Sequence, residues 1–359
     1  MEILLIIGAA IIGFTLVMIA VPPILRVARQ KNLFEPFEER KIHKGSIPSL
    51  GGVAIFFGFI LSTIIATDGY TFDSLKYIIA AVILMFFIGL KDDLMVISAR
   101  KKFVVQLFAG IILITLGNVR LTNLHGVFGI YDIHYFVSLF LTLFIMIAVI
   151  NAFNLIDGID GLASGLAIVA SAFLGMWFFL ASEIQFSIMS FALMGSLAAF
   201  FLYNVFGHRN KLFMGDTGSL IIGLVVSTLA IKFNEFNIIK TNPVSIYSAP
   251  SVSFAIIIVP LIDTLRVITI RLMQKRSPFS PDKNHIHHRI LELVPNHLQV
   301  TSILVIATIF IAGVAILFNN MGLNVTVQFL LVFTLGILFS FVPSILAKRK
   351  KTKLTHQPA

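Results

Sequence analysis

The chain alternates between long apolar windows without charge and short polar breaks. Eleven such windows stand at roughly 3–25, 50–67, 76–91, 103–118, 134–151, 161–181, 184–205, 216–232, 252–271, 299–318 and 323–347. About 20 apolar residues rising 1.5 Å each span the hydrocarbon of a bilayer, so each window predicts a membrane helix. The first window is too long for the apolar part of a signal peptide and follows Glu2, so it reads as the first span. Two windows have short uncharged cores, Tyr77 to Leu90 with 14 residues and Thr217 to Ile231 with 15. Both fall below the usual minimum of ~17, which places Asp92 and Asp216 at a membrane interface instead of in bulk water. Charge in that position is costly and marks a functional candidate.

Composition narrows the class. With 58% hydrophobic and 12% charged residues and a mean hydropathy of +0.97, the chain cannot be a soluble globule of ordinary surface polarity. It reads as an all-α, polytopic integral membrane protein whose obvious partner is the lipid bilayer. Cysteine is absent, which excludes a disulfide framework, a thiolate metal site and a cysteine nucleophile. The net charge of +10 would suit nucleic acid, but membrane proteins also collect Lys and Arg on cytoplasmic loops, and the distribution favours the second explanation. Eleven spans put the termini on opposite sides, and the tail "AKRKKTK" argues for a cytoplasmic C-terminus and an outside N-terminus. Of the 27 Lys and Arg residues, only Lys76, Arg120, Lys232 and Lys240 then fall outside the cytoplasmic segments. No internal repeat or separate soluble domain is visible; residues 1–347 read as one membrane domain and 348–359 as a basic cytoplasmic tail.

The unusual polar clusters all lie on that cytoplasmic side. They are "RKIHKGSIPSLGG" (40–52), "GLKDDLMVISARKKFVVQ" (89–106), "NAFNLIDGIDGLASG" (151–165), "NVFGHRNKLFMGDTGS" (204–219) and "SPFSPDKNHIHHRILEL" (277–293). The adjacent carboxylates of Asp92 and Asp93 repel one another, and nearby Lys91 and Arg100 to Lys102, or a hard divalent cation, would keep them ionised. Asn154, Asp157 and Asp160 recur at spacings of three, which on a helix would place their oxygens on one face. The closing Glu of an EF-hand loop is missing there. Asp216 stands between Gly215 and Gly218 at the start of a helix, whose free N–H groups and dipole would suit phosphate, although no Walker G-K-[ST] is present. Phe213 could stack on a base. His285, His287, His288 and Arg289 follow Lys283 closely and suggest a cationic clamp for phosphate. Zinc fits less well from sequence, since two or three close histidines need further ligands and no H-E-x-x-H spacing exists. Asp263 and Arg266 are expected to form a structural ion pair.

In this order and on one membrane face, "DD", "NxxNxxDGxDGLA", "FMGDTGS" and "HIHH" closely resemble the polyprenyl-phosphate N-acetylhexosamine-1-phosphate transferases, over residues ~40–293. The family includes the undecaprenyl-phosphate GlcNAc-1-phosphate transferases and phospho-N-acetylmuramoyl-pentapeptide transferase. The resemblance implies a Mg²⁺-dependent enzyme, with Mn²⁺ as a substitute, of the bacterial cytoplasmic membrane. It would move a sugar 1-phosphate from a UDP-N-acetylhexosamine to undecaprenyl phosphate and release UMP. By the same resemblance Asn154 and Asp216 would bind the metal and Asp92, Asp93 and Asp216 would serve the reaction. Asp157 would lie near the nucleotide, and Asp160 and Phe213 would contact the uracil. His285, His287, His288 and Arg289 would hold phosphates and sugar, and Lys102, His43 and Lys44 would supply further basic contacts. The chain departs from the family's P-R-x-G-G with Pro48, Ser49, Leu50, Gly51 and Gly52. "HIHHR" favours the GlcNAc branch over a UDP-MurNAc-pentapeptide donor. An ion-coupled transporter would carry carboxylates near the bilayer midplane within repeated halves, neither of which the sequence shows. A homodimer is among the assemblies open to such a chain, and nucleic acid is not an expected partner.

Overall fold

In the computed structural model, which describes residues 1–33, 47–67, 74–238, 243–277 and 284–355, every apolar window is helical. The helices are α1 (Glu2–Gln30), α2 (Gly51–Ala66), α3 (Leu75–Leu94), α4 (Ala99–Thr115), α5 (Tyr135–Ile156), α6 (Leu162–Leu180), α7 (Ile184–Phe206), α8 (Gly215–Phe236), α9 (Ala249–Ile256), α10 (Ile258–Met273), α11 (Ile286–Leu291), α12 (His297–Asn320) and α13 (Val325–Thr355). Among the described residues, seven helices are long and apolar enough to cross a bilayer, and an eighth span forms if α9 and α10 are taken together. This supports a polytopic membrane bundle. Helix α13 continues without a break into the basic tail, which therefore begins on a helix.

Two departures from the sequence reading have local causes. The window at 252–271 is not one helix: α9 and α10 meet at Ile257 with a bend of 76°. Pro260 lies in the first turn of α10. It lacks the N–H that would bond back to Ile256, and its ring crowds that carbonyl, so the chain breaks just upstream. Among the described residues, the expected all-α fold also contains one antiparallel hairpin, β1 (Asn123–Val127) and β2 (Ile130–Asp132), with Asn123 paired to Asp132 and Val127 to Ile130. Phe128 and Gly129 turn it with φ of 55° and 76°, the double left-handed geometry that suits a two-residue hairpin loop. Its backbone is tied to α13 where Phe128 N donates to Thr326 Oγ1 at 2.8 Å.

Helix α8 is the axis of the bundle. It packs on α2, α3, α5, α6 and α9, and 89% of its apolar window is buried, against 22% for α1. Lipid tails are as apolar as leucine, so such helices are held by close packing more than by hydrophobic transfer, and small residues at the contacts permit it. The N-terminal turn of α8 shows the effect. A side chain at Gly52 of α2 or at Gly89 of α3 would collide with the backbone of Thr217 or Gly218. These two glycines bring the ends of α2 and α3 against the start of α8, and so deliver Asp92 and Asp93 to Asp216. At its other end α8 carries Glu235, whose carboxylate accepts from Thr122 N (2.7 Å) and Thr122 Oγ1 (2.8 Å) just before the hairpin. The hairpin and the carboxylates therefore occupy opposite ends of one rod.

Candidate active site

The site is built on the first turn of α8. Gly215 enters it at φ +71°, a left-handed backbone that glycine adopts without strain. The run before it is clamped by the segment leading into α2: Phe213 N donates to Pro48 O (2.9 Å), Gly51 N to Phe213 O (2.9 Å) and Gly52 N to Met214 O (2.8 Å). Asp93 caps the helix. Its carboxylate accepts from Asp216 N at 2.6 Å, Thr217 N at 3.1 Å and Thr217 Oγ1 at 2.5 Å. The orphan N–H groups of a helix start are normally satisfied this way, by an anion that also complements the dipole. The N–H groups of Asp216 and Thr217, expected from sequence to face phosphate, are thus already taken by Asp93.

Asp92 points elsewhere. One of its oxygens accepts from Ile97 N at 2.6 Å and the other from Lys102 Nζ at 2.8 Å. The same ammonium donates to Asp216 Oδ2 at 2.7 Å, and Asp216 Oδ1 accepts from Asn154 Nδ2 at 2.5 Å. Asn154 also donates to Ser219 Oγ at 2.9 Å. Asp92, Lys102, Asp216 and Asn154 therefore form one continuous array, drawn from the ends of α3, α4, α8 and α5. Two carboxylates grip a single cation between them. The grip is open to solvent: the side chains of Asp92, Lys102 and Asp216 are 11%, 21% and 25% exposed.

The stretch after Asn154 does not stay helical. Helix α5 ends at Ile156, Asp157 is its C-cap and Asp160 lies in the following turn, so the three polar residues do not share a helical face. Asp160 Oδ2 instead meets Lys211 Nζ at 2.6 Å and His297 Nδ1 at 2.8 Å. Burial pushes its carboxyl up, but the hydrogen bonds from His297 and Lys211, with the Lys211 charge, outweigh this and hold it below the ordinary aspartate value. The Lys211 ammonium also lies 5.8 Å from the centre of the Phe213 ring, the distance of a cation–π contact. Lys211 and His297 were not singled out in the sequence. Lys211 stood among other loop lysines, and His297 lies outside every motif.

The histidine segment turns inward. His285 and His287 are 5% and 1% exposed, while His288 and Arg289 are half-buried. His285 Nδ1 lies 2.9 Å from Asp263 Oδ2, and Ile286 N donates to Asp263 Oδ1 at 2.7 Å. Burial drives the His287 imidazole down to about 3, so it carries no charge at neutral pH and cannot act as a cationic clamp. Arg289 pairs with Glu292 at 2.9 Å and with the Asn284 side chain. Asp263, expected to pair with Arg266, is engaged by the histidine segment, and Arg266 reaches the Asn284 carbonyl and Ser344 Oγ. The basic pair His43 and Lys44 lies outside the described residues.

The described parts of the five polar loops thus gather at one end of a membrane bundle that carries a carboxylate–lysine–carboxylate array. The model of glycosyl transferase family 4 matches residues 75–234, from the start of α3 nearly to the end of α8, the stretch that carries every member of that array. The undecaprenyl-phosphate alpha-N-acetylglucosaminyl 1-phosphate transferase of Escherichia coli strain K12 is 34% identical over 295 residues, covering 81% of this chain and 78% of that protein. Its counterpart in Salmonella typhimurium is 32% identical over 294 residues, with the same coverage. A probable undecaprenyl-phosphate N-acetylglucosaminyl 1-phosphate transferase of Bacillus subtilis is 29% identical over 336 residues, covering 93% of this chain and 91% of the relative. The chain belongs to this family of membrane glycosyl transferases.

Proposed function

We propose that the chain transfers N-acetylglucosamine 1-phosphate from UDP-N-acetylglucosamine to undecaprenyl phosphate and releases UMP, the first membrane step in building a cell-envelope polysaccharide. The observation that carries this reading is the Lys102 ammonium held between Asp92 and Asp216, with Asn154 alongside. Oxygens already arranged about one cation, at a solvent-open bundle end, are what a reaction between two phosphate groups needs. Family membership and the printed activities of the relatives support the same conclusion.

Mg²⁺, or Mn²⁺ in its place, belongs to this reading, and the residues present fit it. Asp92 Oδ2 and Asp216 Oδ2 both lie within 2.8 Å of one positive charge, and hard divalent ions prefer such oxygen donors. Asp216 would hold the ion with Asn154, once the amide of Asn154 turns its oxygen toward Asp216, and Asp92 would flank it. When bound, the ion offsets charge on the pyrophosphate that is cleaved. The remaining work falls to the protein. Lys102, freed from the carboxylates, becomes a donor to phosphate oxygens. Asp93 acts as a positioning residue through its hold on α8. Asp160, with Lys211 and Phe213, forms the polar and aromatic edge suited to the uracil, with Asp157 beside it, and His288 and Arg289 lie on the sugar-phosphate side.

The bond that forms joins a lipid phosphate oxygen to the sugar-bearing phosphorus, and the bond that breaks links that phosphorus to UMP. A phosphate monoester has its second pKa near ~6 and is largely dianionic at neutral pH, so attack does not depend on a base. The reading also takes α2, α3, α4 and the bent α9–α10 pair as spans, giving eleven in all. The N-terminus is then outside, and the site faces the cytoplasm of the bacterial inner membrane. The Lys and Arg distribution supports that orientation.

The test is UMP release by the purified chain with Mg²⁺, undecaprenyl phosphate and a panel of UDP-sugars. UDP-N-acetylglucosamine is expected to be the best donor, and Asp216→Asn to abolish release. Absence of UMP with every UDP-N-acetylhexosamine would overturn the reading.

A further inference from the structure

Lys350 reaches across from α13 to the end of the histidine segment. Its ammonium donates to Glu292 O at 3.2 Å and to Leu293 O at 3.4 Å, the carbonyls that follow the last turn of α11. A lysine so placed satisfies groups that a helix end leaves bare and complements the negative end of the dipole. Earlier on the same helix, Ser344 Oγ accepts from Arg266 Nη2 at 2.7 Å, and Arg266 also holds the Asn284 carbonyl just before His285. Helix α13 therefore secures the histidine segment twice, at its start through Arg266 and at its finish through Lys350.

The bilayer sets the height of Lys350. Helix α13 is one of the long apolar helices, and from Val325 to Leu346 it carries no charge. That stretch rises ~32 Å, about the thickness of the hydrocarbon. Leu346 is still 45% exposed, and Lys348, Arg349 and Lys350 follow at once, all exposed. The charged end of α13 thus stands at the level of lipid headgroups. Five of the six residues from 348 to 353 are Lys or Arg, and no carboxylate lies between Glu292 and Thr355. A basic cluster of this size directly beyond a span is attracted by an anionic lipid surface, each charge adding to the attraction.

We propose that the basic end of α13 docks on anionic phospholipid headgroups, and that this contact keeps Lys350 on the carbonyls of the histidine segment. The charges are complementary, and the helix delivers them to the depth at which lipid phosphates lie. In neutral lipid the crowded cations repel one another without compensation, the end of α13 frays, and Lys350 leaves α11. Membrane composition thereby sets how firmly the segment that carries His288 and Arg289 is seated. The consequence for turnover rests on the transferase reading; the docking itself does not.

The test follows hydrogen exchange and needs no substrate, so it stands apart from the transferase reading. The full chain is placed in nanodiscs of phosphatidylcholine, alone or mixed equally with phosphatidylglycerol, and amide exchange is measured over residues 286–294. Exchange there is expected to be roughly fivefold slower with phosphatidylglycerol, the effect of one basic residue's attraction to an anionic surface. The combined variant Lys348→Gln, Arg349→Gln, Lys351→Gln and Lys353→Gln, with Lys350 retained, should exchange at one rate in both lipids. Lys350→Gln should show the faster rate in both. Equal exchange of the wild type in the two lipids would overturn the proposal, as would a lipid effect that survives in either variant. The wild-type comparison decides against the proposal whether or not a variant folds.

Discussion

Asp160 illustrates how a single side chain at this site is held. Its carboxylate is clasped by Lys211 and His297, which lie 51 and 137 positions further along the chain. The acidic motif was legible because its spacing is local. The partners were not, since nothing in the sequence says which of 27 Lys and Arg residues and 9 histidines folds back onto it. A carboxylate held below its ordinary value contributes stability that is fully present above the unfolded value of about 3.9 and is lost as pH falls through the folded one. Asp160→Asn should therefore lower the unfolding temperature of the detergent-solubilised protein at pH 7. The gap from wild type should stay constant down to about pH 5 and close at lower pH. A gap that widened on acidification would contradict the assigned contacts.

At the scale of elements, Asp92 and Asp93 separate. They are adjacent at the end of α3, yet one faces the lysine and the other secures the first turn of α8. Loss of a cap of this kind costs about 0.5–2 kcal/mol. Asp93→Asn should lower thermal stability measurably, with activity falling along with it. Asp92→Asn should leave the unfolding midpoint close to wild type while cutting UMP release by roughly 10²–10³-fold, the range for losing a preorganised electrostatic partner. Equal effects of both variants on both readouts would remove the distinction. The helices themselves were legible because a bilayer leaves few alternatives for a long apolar window. The break at Ile257 escaped because a hydropathy window weighs Pro260 by its polarity and not by its missing N–H. The hairpin escaped because residues 123–132 show no sustained alternation, and its register depends on the turn at Phe128 and Gly129.

For the molecule as a whole, the hairpin and the carboxylate array lie at the two ends of α8, and the proposed topology puts them on opposite sides of the membrane. The absence of cysteine makes this directly measurable. A single Phe128→Cys on the hairpin, where the side chain is 62% exposed, should react with a membrane-impermeant thiol reagent added outside intact cells. A single Arg209→Cys, on the loop before α8, should react only after the membrane is opened. The reverse pattern would invert the topology. Convergence of the five loops was expected from their shared side, but the order of contacts within them depends on Gly52 and Gly89, whose importance lies in what they lack. The burial of α8 carries one more implication. On α1, where Leu4 and Ile11 are 73% and 60% exposed, any oily side chain serves, because lipid conforms to whatever shape it meets. Along α8 the neighbours are other helices, which do not yield. Leu224 and Val225 are as constrained in shape as residues at the centre of a water-soluble protein, and oiliness alone does not qualify a replacement.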